Sequence, residues 1–168
     1  MTDIAIIIPF REHEKQNRKK ELKIFISHIT TILNFKSNKF HIYVIQQSQG
    51  QKFNRGLLLN IGFDLTKNCH DMFIFHDVDL LPSSDLASDY FTLSKKPIHI
   101  GSVWKDRYTN YNYLGGIISF HKDTFLQING YPNTYWGWGG EDKSLSWRLK
   151  ENKITPIKIT KGRIYDIE

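Results

Sequence analysis

Two short acidic segments carry the chemistry this sequence can perform. Asp77 and Asp79 flank Val78 directly after the apolar run Met72–His76, so two acids one residue apart stand at a strand end and point to the same side. Their mutual repulsion is costly without a cation nearby. Oxygen ligands of this kind suit magnesium or manganese, completed by phosphate oxygens of a ligand. Aspartate pairs also occur in plain turns; the apolar strand ahead of this one sets it apart. The second segment, Tyr135-Trp136-Gly137-Trp138-Gly139-Gly140-Glu141-Asp142, puts three glycines and three aromatics into eight residues. Glycine costs backbone entropy and exposed tryptophan wastes apolar area, so the segment needs a reason. Flat aromatic faces make platforms for sugar rings, and glycines permit close backbone approach. Glu141 and Asp142 then open a helix whose dipole favours ionised carboxylates. An ionised carboxylate beside such a platform is what a general base for a sugar hydroxyl needs. A tight turn with an acidic N-cap accounts for the two acids but not for the tryptophans.

The elements that must hold these groups read as strands alternating with helices. Residues 4–10 form a continuous apolar run containing Pro9, as expected of a strand buried on both faces. Leu22, Phe25, Ile29, Ile32 and Leu33 recur at helical spacing. Residues 40–46 predict a second strand, 54–65 a helix with Leu57, Leu58 and Ile61 inward, and Met72–His76 a third strand. This order predicts an α/β sheet with parallel strands and right-handed crossovers, and ligands gather beyond the carboxyl ends of such strands. Arg11, Gln46 with Gln47, and Asp77 with Asp79 fall at those ends.

The second half is more broken. It predicts a strand over 98–103, a polar aromatic loop over 104–113, and a short strand over 117–120. A helix follows, capped by Asp123 and stopped at Asn129-Gly130, and another runs from 141 to about 150. No repeat or linker divides the chain, so residues 1–168 read as one domain. His76 reads as a hydrogen-bonded structural histidine, His28 and His41 as structural or surface residues. Trp104, Tyr108 and Tyr111 read equally as acceptor-binding aromatics and as an adhesive loop.

Four motifs, in order, resemble the β-1,4-galactosyltransferase family across about residues 5–150. They are Phe53-Asn54-Arg55-Gly56-Leu57-Leu58-Leu59-Asn60-Ile61-Gly62-Phe63, Phe75-His76-Asp77-Val78-Asp79-Leu80-Leu81-Pro82, Tyr113-Leu114-Gly115-Gly116, and Ile128-Asn129-Gly130-Tyr131-Pro132-Asn133 running on to Trp136-Gly137-Trp138-Gly139-Gly140-Glu141-Asp142. The resemblance implies a GT-A nucleotide-sugar-binding fold, with a mostly parallel central sheet flanked by helices. It also implies a UDP-sugar donor, UDP-galactose above others, a manganese or magnesium ion, and a glycan hydroxyl as acceptor. By the same resemblance Pro9, Phe10, Arg11, Phe53, Arg55, Asp77, Val78, Tyr113 and Gly116 meet the nucleotide and donor sugar, and Asp79 ligates the metal. Trp138 belongs to a mobile loop over the donor. Tyr135, Trp136, Gly139, Glu141 and Asp142 face the acceptor, with Asp142 as catalytic base and inversion as the stereochemical outcome.

Three positions depart from the pattern. Lys143 stands where a third acid is usual, and His13 where an arginine is common. The family's further metal ligands, a histidine among them, come from a segment past the last strand; here Asp166 or Glu168 are the acids that could substitute. Two alternatives stay open: a retaining polypeptide N-acetylgalactosaminyltransferase-like enzyme, and a non-catalytic sugar- or nucleotide-binding module. Asp-Val-Asp and the paired acids at 141 and 142 argue against the first.

Composition bounds the rest. With 168 residues, 40% hydrophobic and 14% aromatic, the chain can bury a sizeable core. A formal charge of +6 attracts anions in general. Lys15, Arg18, Lys19, Lys20 and Lys23 cluster, but Glu14 and Glu21 interrupt them, so a solvated helix face is expected and no nucleic-acid partner. Cys69 stands alone, which precludes an intrachain disulfide; a buried structural thiol is expected. The longest apolar run is too short for a membrane span and no signal-peptide pattern opens the chain. The expectation is a soluble, cytoplasmic protein of microbial or viral source.

Overall fold

The computed structural model describes residues 3–13, 15–34, 38–105, 107 and 113–168. In chain order the elements are β1 (Asp3–Phe10), α1 (Arg18–Leu33), β2 (Lys39–Gln46), α2 (Arg55–Thr66), β3 (Met72–His76), β4 (Leu80–Pro82), α3 (Ala87–Tyr90), β5 (Ile98–His99), β6 (Ile117–His121), α4 (Lys122–Gln127), α5 (Glu141–Glu151), β7 (Ile157–Lys158) and β8 (Ile164–Asp166). One sheet has the order β2-β1-β3-β6-β5-β7; β4 and β8 form a second, two-stranded sheet. The pairs β1–β2, β1–β3 and β5–β7 are parallel, whereas β6 runs antiparallel to both β3 and β5.

The unbroken apolar run of β1 serves two cores. Ile4, Ile6, Ile8 and Phe10 belong with Phe25, Ile29 and Leu33 of α1. Ala5 and Ile7 belong with Leu59 and Phe63 of α2 and with Phe73 and Phe75 of β3. Side chains alternate across a strand, so a strand sandwiched between helices must be apolar at every position. Both helices start on asparagine caps: Asn17 accepts from the Lys20 amide at 3.3 Å and Asn54 from the Leu57 amide at 3.0 Å.

The inward face of α2 differs from the expected one. Gly56, Leu58, Leu59, Gly62, Phe63 and Thr66 are buried, while Leu57 is half-buried and Ile61 is exposed. The reason is close approach: a Cβ on Gly62 would lie 2.4 Å from Ile7 Cγ2 and 2.9 Å from Ile45 Cγ1. The helix therefore settles on its small residues.

Three further expectations are corrected. Only Ile98–His99 is strand; Ile100–Val103 turns as a short 3₁₀ helix where Gly101 presses against the Gly115 carbonyl. The cap of α4 is the His121 ring, which accepts from the Asp123 amide at 3.1 Å, while Asp123 sits in the first turn and pairs with Lys95 at 2.5 Å. Cys69 is exposed in the turn leaving α2, its amide bonded to the Thr66 carbonyl at 2.9 Å. The stop after α4 is as expected, with positive φ at Asn129 and Gly130. Among the described residues no helix is long and apolar enough to cross a membrane.

Candidate functional site

In the strand order β2-β1-β3 the chain leaves β1 to either side, with α1 over one face of the sheet and α2 over the other. A crevice opens beyond the carboxyl ends at such a switch point. Here it is a cleft of ≈ 670 Å³, within the usual range for small-molecule sites. Pro9, Phe10 and Arg11 line it from the end of β1, and Phe53 and Arg55 from the start of α2. Asp77, Val78 and Asp79 reach it from the end of β3, Tyr113 from the loop before β6, and Trp138, Gly139, Glu141 and Asp142 from the approach to α5.

Three expected residues stand outside the lining. The Gly116 carbonyl accepts from the Asp77 amide at 2.9 Å, which aims the acidic segment. Tyr135 pairs its hydroxyl with Ser144 at 2.8 Å and lays its ring against Gly140. Trp136 is exposed. Tyr108 and Tyr111 lie outside the described residues. Trp104 packs against the core with the Arg107 guanidinium 5.2 Å from its ring centroid. Lys143 points to solvent, whereas His13 does line the cleft.

The glycines of the aromatic segment have a backbone reason. Gly137, Gly139 and Gly140 hold φ of 104°, 88° and 100°, a region that side chains disfavour. The Gly137 amide donates to the Phe53 carbonyl at 2.7 Å, so this loop is stitched to the Arg11–Phe53 side of the cleft. There the Arg11 guanidinium stands 5.5 Å from the centroid of Phe53. Trp138 is 90% exposed.

The two aspartates do not share one cation; each has its own arginine. Arg55 Nε meets Asp77 at 2.6 Å, and its Nη1 meets Asp142 at 3.0 Å and Glu141 at 3.7 Å. The same guanidinium stands 5.9 Å from the Tyr131 ring centroid. Arg18 Nη1 meets Glu21 at 2.7 Å and Asp79 at 2.8 Å, and its Nη2 meets Glu168 at 3.4 Å. Arg18 thus leaves the solvated face on which its basic neighbours stand. Burial, with the charges of Asp79 and Asp142, pushes Asp77 up to about 6 against the pull of Arg55. Burial also raises Asp142, opposed by Arg55, so desolvation outweighs the expected help of the helix dipole there. Arg55 Nη2, Glu141 Oε2 and the Tyr131 hydroxyl are buried without a hydrogen-bond partner among the described residues. Buried polar atoms are normally satisfied, and of these three residues Arg55 and Glu141 line the cleft, where a ligand could meet them.

His76 is structural, as expected. It is fully buried, its ring nitrogens 2.8 Å from the Asp77 carbonyl and 2.7 Å from the Tyr90 hydroxyl, and burial lowers it to about 4. His28 lies 2.6 Å from the Pro82 carbonyl.

Sequence reasoning left the far end of the chain unassigned. β8 pairs antiparallel with β4, setting Leu80 opposite Asp166, and the Ile167 amide donates to the Asp79 carbonyl at 2.9 Å. That ladder carries Asp166 and Glu168 into the lining beside Asp79. Among the described residues no three metal-ligating side chains already converge. The donor chemistry nevertheless fits a hard divalent ion: Asp79, Asp166 and Glu168 line the same cleft, and the Arg18 guanidinium is drawn onto Asp79 and Glu168. Arg18 and Gln16 were also missed as lining residues. Arg18 was hidden in its basic run, and only the acid at Glu21, one helical turn on, sets it apart.

Known proteins resemble the whole chain. Residues 1–91 match the N-terminal region of glycosyl transferase group 7, and residues 95–168 the N-terminal domain of galactosyltransferase. Mouse β-1,4-galactosyltransferase 4 is 37% identical over 158 residues, covering 90% of this chain and 43% of the relative. Bovine β-1,4-galactosyltransferase 1 is 41% identical over 155 residues, covering 87% of this chain and 36% of the relative. The chain therefore spans less than half the length of these relatives. A variant of Drosophila β-1,4-galactosyltransferase 7, in complex with manganese, UDP-Gal and xylobiose, superposes with a TM-score of 0.86 at 30% identity, covering all of this chain and 71% of that one.

Proposed function

We propose, for a chain that belongs to the β-1,4-galactosyltransferase family and carries its GT-A fold, that the cleft transfers galactose from UDP-galactose to a glycan hydroxyl with inversion. The observation that carries this reading is the setting of Asp142. It enters the cleft from the first turn of α5, 3.0 Å from Arg55, in the same lining as Asp79 and the Arg11–Phe53 pair.

Each group then has a task. Phe53 and Arg11 offer a flat apolar face and a positive charge for the base and phosphates of the nucleotide. Asp79, with Asp166 and Glu168, would hold manganese or magnesium, which stabilises charge on the departing diphosphate. Asp142 removes the proton of the acceptor hydroxyl as its oxygen attacks the anomeric carbon from the face opposite UDP. The bond between that carbon and the UDP oxygen breaks as the new one forms, hence inversion. Arg55 keeps Asp142 in place and shares its charge with Asp77. Trp138, on its glycine-flanked loop, closes over the donor and keeps out water that would hydrolyse it. The xylobiose held by the Drosophila relative puts xylosides first among acceptors to try.

The test is UDP release from UDP-galactose, with and without manganese, across simple glycoside acceptors, with the product anomer read by NMR. Metal-stimulated release and a β-linked product are expected. Retention of configuration would replace this reading with the N-acetylgalactosaminyltransferase-like one, and UDP binding without turnover on any donor would leave a binding module.

A further inference from the structure

Arg18 is placed where a divalent ion would compete with it. It is the first residue of α1, and its guanidinium lies among Glu21 at 2.7 Å, Asp79 at 2.8 Å and Glu168 at 3.4 Å. Asp79 and Glu168 are two of the three carboxylates given above to the metal. A guanidinium and a doubly charged ion cannot both sit on these oxygens, because like charges a few ångströms apart repel strongly in a partly desolvated pocket. The third partner is different in kind. Glu21 is on the same helix, three residues on, with its side chain 10% exposed and facing Arg18. An arginine that gives up Asp79 and Glu168 therefore keeps one ion pair at helical spacing, which makes the exchange feasible without stranding a buried charge.

We propose that Arg18 and the divalent ion are alternative occupants of the Asp79–Glu168 pair, with Glu21 as the partner that retains Arg18 when the ion is in place. The proposal rests on the metal reading above. Arg18 thereby weakens the hold of the protein on the free ion. The ion binds tightly only when a nucleotide diphosphate adds its own negative oxygens, so metal and donor load together.

The test is titration of the metal-depleted chain with manganese, followed by the EPR signal of free Mn2+, with and without UDP. Arg18→Met tightens Mn2+ binding in the absence of UDP by about tenfold, the order expected when one nearby positive charge is removed. Arg18→Lys, which keeps the charge but cannot bridge two carboxylates, falls between the two. Glu21→Gln weakens Mn2+ binding, because Arg18 then leans harder on Asp79. Thermal melts check each fold; should Arg18→Met not fold, the order Arg18→Lys, wild type, Glu21→Gln decides. Asp79→Asn locates the ion. If Asp79→Asn loses Mn2+ binding while the Arg18 and Glu21 variants bind as wild type, the competition is refuted and the metal reading stands. If Asp79→Asn binds Mn2+ unchanged, both fall.

Discussion

Asp77 and Asp79 are separated by one residue, yet they belong to two clusters built alike: one arginine among three carboxylates. Arg55 faces Asp77, Glu141 and Asp142; Arg18 faces Glu21, Asp79 and Glu168. The composition is the same and the mounting is not. Arg55 rises from the first turn of α2 over the Tyr131 ring, and its acids come from the end of β3 and the first turn of α5. Arg18 draws one acid from its own helix and another, Glu168, whose side chain is 48% exposed, from past β8. Identical charges thus make a fixed strut in one place and an exchangeable clasp in the other. Where the partners are anchored decides which.

The largest expected effect tests the strut through what it holds. Asp142→Asn lowers kcat by about 10³-fold while UDP affinity, read by calorimetry, stays at the wild-type level. Loss of UDP binding instead would move Asp142 out of the acceptor side. Next comes the contrast itself. Arg55→Met leaves buried carboxylates without a partner and costs about 3–5 kcal/mol in urea denaturation. Arg18→Met costs about 1–2 kcal/mol, since its hydrogen bonds to charged groups are lost but Glu168, 48% exposed, can rehydrate. Equal losses would erase the distinction between strut and clasp.

A smaller effect is read from pH. The folded Asp77 carboxyl keeps its proton to about 6, against 3.8 for an ordinary one. The stability it contributes is therefore present below 3.8 and is lost as pH rises through about 6. Asp77→Asn should flatten that part of the stability profile. Arg55→Met should move the acid limb of kcat/KM further up, because the charge that favours both ionised carboxylates is gone. The smallest effect belongs to Trp138. At 90% exposure, its replacement by alanine changes stability by no more than about 0.5 kcal/mol, while the fraction of donor lost to hydrolysis rises.

How legible this site was in the sequence depended on distance along the chain. β1, β3 and the acids behind β3 could be read directly, because a strand covered on both faces announces itself as an apolar run. The pairing of Asp142 with Asp77 could not, since no local pattern says which arginine lies between them. The inward face of α2 was misjudged for a different reason. Leu57 and Ile61 outrank Gly56 and Gly62 in hydrophobicity, but contact with the Pro132 carbonyl at Gly56, and with Ile7 and Ile45 at Gly62, selects for the absence of a side chain. The three-residue strands β4 and β8 carry too little periodicity to be found. Without their register Asp166 and Glu168 were only acids near the end of the chain.

That register also makes the cleft a fastening. The ladder between β4 and β8 is short, and what continues past it is held by the Ile167 amide on the Asp79 carbonyl, by the Arg18–Glu168 pair and by the Gln16 side-chain amide, which donates to Glu168. A ligand that bridges Asp79 to Asp166 and Glu168 binds the segment when it is docked on β4 and not when it is detached, so by mass action it must hold the segment down. Hydrogen exchange at the Ile167 amide would then slow in proportion to occupancy, and that one bond becomes a gauge of what the cleft contains.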